Sequence, residues 1–198
     1  MTAKSPAHLR SHRAKAARVL LSLFEADQLD SPEFWTWEMM DLLPGWCLDD
    51  AEVRTQLQLL CGAVALAPEV RLWIDRRQIL TAQQLLGKDI FDAVVQTADE
   101  VSHGIDVPAE HVIEHSFIER HFMKAGASVL SSALDSRLPK QQLIGVLGES
   151  YGELNAEFAQ NLVDQANRLA QTTCAMAAPS GKSAENTSAQ PELDEALA

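Results

Sequence analysis

The segment Asp49–Leu66, DDAEVRTQLQLLCGAVAL, sets the fold class. Val53, Leu57, Leu60, Cys61 and Val64 recur at intervals of three and four, the spacing of one face of an α-helix. Asp49 with Glu52 three residues on has the spacing of a capping box. The same period extends outward in both directions. Ser31-Pro32-Glu33 reads as a helix start that runs to Leu43 and stops at Pro44-Gly45. Pro68 starts or kinks a piece over residues 69–77; Thr81 caps a short helix ending at Gly87, and Asp89 opens another through Ile90, Phe91, Val94 and Val95.

Past Pro108 a long helical pattern reaches Leu134, and Leu138-Pro139 breaks it. A short helix over residues 139–147 precedes a last one, 153–176, with Leu154, Phe158, Leu162, Ala166 and Leu169 on one face. Alternating apolar–polar runs bounded by turn signals are absent from the sequence, so no strand is expected. The expected fold is all-α: a compact domain of seven to nine helices over residues 31–178, preceded by a basic amphipathic helix within residues 1–30. The Ser102–Pro108 loop marks a candidate subdomain boundary. Residues 179–198, poor in bulky apolar side chains, are expected to be a disordered tail.

Composition narrows the function. With 198 residues, 46% of them apolar, the chain is long enough to bury a core. Its net charge of −12 argues against nucleic-acid binding, which rests on neutralising phosphates, and against adsorption to an anionic bilayer. No apolar run is long enough to span a membrane. Lys4, Arg10, Arg13, Lys15 and Arg18 give residues 1–24 a charge of +5, so the remainder carries −17. That asymmetry has three readings: a secretory signal, an organellar presequence, or an amphipathic first helix whose basic face meets an acidic surface. Leu9, Ala16, Val19, Leu20 and Leu23 share a helical face and favour the third. Cys47, Cys61 and Cys174 are odd in number and widely spaced, which reads as buried small hydrophobes in a reducing compartment.

The string His111-Val112-Ile113-Glu114-His115 is the sharpest sign of chemistry. Two histidines four apart on a helix point the same way and suit one zinc ion, and HxxEH is the inverted zinc-protease motif, with its Glu as general base. His121 and Glu119 lie nearby, and Glu149, Glu153 and Glu157 are available as a third ligand. Against this, a helical wheel places His111, His115, Ile118, Phe122, Ala125, Val129 and Ala133 on one stripe, so packing of the histidines outweighs ligation. No Walker A loop, no GxGxxG after a strand and no G-x-S-x-G elbow occurs. Trp35, Trp37, Trp46 and Trp73 are expected at the core or its edge, although a helix cannot bury both Trp35 and Trp37 against one flat surface.

The stretch Leu59-Leu60-Cys61-Gly62-Ala63-Val64-Ala65-Leu66-Ala67-Pro68-Glu69-Val70-Arg71-Leu72-Trp73-Ile74-Asp75-Arg76-Arg77, followed by Leu80, Leu85-Leu86-Gly87 and Phe91, resembles the SctK (YscK/OrgA-like) accessory proteins of bacterial type III secretion systems. The resemblance covers roughly residues 32–100. It implies a non-enzymatic adaptor, without cofactor, on the cytoplasmic side of the injectisome, peripheral to the inner membrane. The implied partners are the inner-membrane ring protein (SctD type) and the sorting-platform pod protein (SctQ type). Arg71, Trp73, Arg76 and Arg77 form the candidate contact, because Arg and Trp dominate interface energetics. The plainer alternative is an Arg71–Asp75 helix pair with Trp73 turned inward. A helical chaperone or regulator that holds a client is the second functional reading, and a zinc hydrolase using His111, Glu114 and His115 the third.

Overall fold

The computed structural model describes residues 6–25, 35–99, 101 and 115–177. Among them the fold is all-α, with nine α-helices and two 3₁₀ turns and no strand. They are α1 (Pro6–Glu25), α2 (Trp37–Leu42), α3 (Ala51–Ala65), α4 (Ala67–Val70), α5 (Arg76–Leu86), α6 (Lys88–Gln96), α7 (His115–Ser132), α8 (Lys140–Leu147) and α9 (Ala156–Ala177). The 3₁₀ turns are Gly45–Leu48 and Thr97–Asp99. The expected disordered tail, the 102–108 boundary and the Ser31–Pro32 cap lie outside the described residues.

α3 and α7 form the central pair, and α9 packs on both. Their close approach rests on two glycines. A Cβ on Gly62 would fall 1.8 Å from the Phe122 carbonyl oxygen, and one on Gly126 would fall 1.8 Å from that of Gln58. The stripe expected of α7 is the one it buries: Ile118, Phe122, Ala125 and Val129 are at most 1% exposed. Leu57, Leu60, Cys61 and Val64 of α3 meet it in the main core, whereas Val53, on the same expected face but in the first turn, is exposed. The buried Gln58 amide donates to the carbonyls of Met123 (2.9 Å) and Leu147 (2.8 Å), tying α3 to α7 and to the end of α8. Such a pairing meets the requirement that a buried polar group find partners.

A second, smaller core seats α1. Ala16, Leu20 and Leu23 pack with Leu43, Cys47, Leu134, Leu138 and Leu143, and Trp46 bridges the two cores. The basic face of α1 meets an acidic partner within the chain: Arg13 forks onto Asp41 at 2.7 and 2.5 Å. The α1 face read from sequence is thus the face it packs.

Several boundaries differ from the sequence reading, and α9 starts at Ala156 rather than at 153. α2 begins at Trp37, because Thr36 is extended and its hydroxyl accepts from the Met39 N–H. The N-cap of α3 is Asp50, without a side-chain cap bond, in place of an Asp49–Glu52 box. Residues 69–77 are not one helix. α4 ends at Val70, and α5 opens at Arg76 with Asp75 as its cap, leaving Thr81 inside the helix.

Candidate partner-binding surface

The break between α4 and α5 builds the most exposed apolar feature among the described residues. Leu72 and Trp73 close the end of α4 through N–H bonds to the Glu69 and Val70 carbonyls, at 2.9 and 3.1 Å. The chain then extends until Asp75, whose carboxylate accepts from the Arg77 N–H at 2.7 Å and starts α5. A short carboxylate at that position supplies one of the partners that the first turn of a helix lacks.

Trp73 turns inward. Its ring stacks on the fully buried Phe122, with centroids 6.1 Å apart and planes 9° from parallel. With Trp73 committed to the core, its neighbours face out: Leu72 is 78% exposed and Ile74 is 96% exposed. Leu80, one turn beyond Arg76 and Arg77 on α5, is also exposed. Arg71, Arg76 and Arg77 surround this apolar tip and are all exposed.

The structure therefore divides the four residues singled out from sequence. Arg71, Arg76 and Arg77 lie on the surface, whereas Trp73 is mainly a core anchor. Arg71 is ion-paired with Asp99 rather than Asp75, which is occupied as a cap. Leu72 and Ile74 escaped the sequence reading, because within one continuous helix they are ordinary apolar positions. The available signal was Asp75 ahead of Arg76-Arg77, a cap residue that divides the helix.

His111 and Glu114 lie outside the described residues, and of His115 only its backbone place at the start of α7 is described. Among the described residues no group of three or more His, Cys, Asp or Glu is placed to hold a metal. His121 is buried. Its Nδ1 lies 2.6 Å from the Tyr151 hydroxyl and its Nε2 lies 3.5 Å from Glu69, so it clasps α7 to α4 and to the segment before α9. Cys47 and Cys61 are buried as expected, and burial pushes the Cys47 thiol up to about 12, away from thiolate chemistry. Of the tryptophans, Trp35, Trp46 and Trp73 pack at the core edges, while Trp37 is 59% exposed.

An open cleft of about 640 Å³ runs between α1 and α9. His8, His12 and Lys15 line it on one side and Gln160, Asn167 and Gln171 on the other. His12 is already bonded to the Met40 carbonyl at 3.1 Å. No helix among the described residues is long and apolar enough to cross a membrane. The chain matches no family model, no curated protein and no solved structure.

Proposed function

We propose that this chain is a non-enzymatic binding protein, and specifically a cytoplasmic adaptor of the SctK type that links an inner-membrane ring protein (SctD type) to a sorting-platform pod protein (SctQ type). The observation that carries the binding role is the α4–α5 corner, where Leu72 and Ile74 stand in water among three arginines. Exposed aliphatics that adjoin one another and are rimmed by Arg support a protein contact. The secretion-system assignment is supported by the resemblance over roughly residues 32–100, within which this corner falls.

The experiment is co-purification of a tagged full-length chain from its own cells, with the retained proteins identified by mass spectrometry. The adaptor reading expects pod-type and ring-type proteins in stoichiometric amount. Retention of neither overturns it. The chaperone or regulator reading has one observation in its favour, the open cleft between α1 and α9. It expects a client protein instead, released by substitutions in the cleft such as Lys15→Glu with Asn167→Asp.

A further inference from the structure

We infer that the α4–α5 corner is a knob that seats in an apolar pocket edged by carboxylates on a partner protein. This rests on the reading of the chain as a binding protein and names the chemistry of what it binds.

The shape sets the first requirement. Ile74 at 96% and Leu72 at 78% exposure project from the surface, so the concavity belongs to the partner. The knob is also held in place before binding. Trp73, between the two aliphatics, is stacked on Phe122, and Asp75 fixes the first turn of α5. A contact already ordered in the free protein loses less conformational entropy on docking.

Charge sets the second requirement. Arg71 is balanced by Asp99. Among the described residues the guanidinium groups of Arg76 and Arg77 have no hydrogen-bond or ion-pair partner. They flank the knob together with Leu80, in a chain whose net charge is −12. Two uncompensated cations beside an apolar tip fit a rim of Asp and Glu, which steers docking and fixes its orientation.

Other occupants fit less well. An anionic bilayer is an extended surface that also meets the overall charge of −12 and the exposed carboxylates of Glu69 and Asp99, whereas the rim of a pocket faces only the Arg76–Arg77 side of the corner. A second copy offers an apolar cleft of only about 20 Å³ whose charged lining residue, Arg54, repels Arg76 and Arg77, and a second cleft where Asp49 and Asp50 adjoin Leu48 and Val53 but are offset by Lys15 and Arg18.

The test replaces Ile74 of the full-length chain with a photo-reactive benzophenone residue, expressed in its own cells. Cross-linked peptides are mapped by mass spectrometry, with the same residue at exposed Glu52 on α3 as control. The expected result is a cross-link to another protein, at a segment where Asp or Glu flanks aliphatic residues. Its yield is expected to fall by about tenfold or more when Arg76→Glu and Arg77→Glu are added. Thermal unfolding of each variant verifies that it remains folded. An adduct with lipid, an adduct with a second copy, a yield no higher than at Glu52, or a yield indifferent to the charge reversal overturns the inference. A cross-linked pod-type protein supports this inference and the adaptor reading together. A ring-type protein with the stated chemistry does the same, and a protein of neither type with that chemistry supports the inference and removes the adaptor reading.

Discussion

Trp73 and Phe122 lie nearly parallel with ring centroids 6.1 Å apart, and this contact separates what holds the α4–α5 corner from what it presents. Trp73→Ala is expected to lower stability by about 3 kcal/mol, as for a large aromatic removed from a packed site. Ile74→Ala, one residue on and 96% exposed, is expected to change stability by less than about 0.5 kcal/mol. Urea unfolding of the two variants checks the division. Equal losses contradict it.

Gly62 and Gly126 set the distance between α3 and α7. Gly62→Ala places a methyl group against the Phe122 carbonyl and 2.8 Å from the Gly126 nitrogen, both of them backbone atoms that a rotamer change cannot move. A loss of about 3 kcal/mol is expected, since overpacking a tight core forces the backbone to shift. Gly45→Ala is the control. A Cβ there meets nothing within 4 Å, and the melting temperature is expected to stay close to that of the parent chain.

His121 links three parts of the chain through Tyr151 and Glu69. Tyr151→Phe removes one hydrogen-bonding hydroxyl at an estimated cost of about 1 kcal/mol. His121→Ala also opens a cavity in a buried site and is expected to cost about 2–4 kcal/mol. A double-mutant cycle read by chemical unfolding is expected to show coupling between positions 121 and 151.

The short connection after α7 confers an acid-sensitive element. Arg137 holds the Asp135 carboxylate through its side chain at 2.9 and 2.7 Å and through its backbone N–H at 2.9 Å, keeping the acid well below the usual carboxylate range. Lys124 likewise lowers Glu149 through a 2.6 Å ion pair. A carboxyl whose folded pKa is depressed stabilises the fold above its unfolded pKa, and this contribution is lost as pH falls through the folded value. Stability is therefore expected to decline below about pH 4, the ordinary carboxylate range. Asp135→Asn is expected to flatten part of that decline in urea midpoints measured from neutral to acid pH. The effect is small, because the pair is screened by solvent.

The parts of the fold written most clearly in the sequence are those where one helical face does one job. Ile118, Phe122, Ala125 and Val129 mark the buried side of α7, and Ala16, Leu20 and Leu23 mark that of α1. Apolar periodicity reports burial directly in such elements. The corner at residues 71–75 was not legible in the same way. Leu72, Trp73 and Ile74 are compatible with continued helix, and the break coincides with the Asp75 cap and the packing of Trp73 on the core. That packing depends on Phe122, nearly fifty residues away in sequence. The basic residues of the site are legible in the sequence, and its aliphatic tip is defined by the tertiary structure.

The most direct test of the central claim is a calorimetric titration of purified SctQ-type pod protein into the full-length chain and into its Leu72→Ser/Ile74→Ser variant. The account predicts binding by the parent chain, weakened by about tenfold or more in the variant, with the melting temperature unchanged. Equal affinity in the two proteins, or no binding by the parent chain, contradicts it.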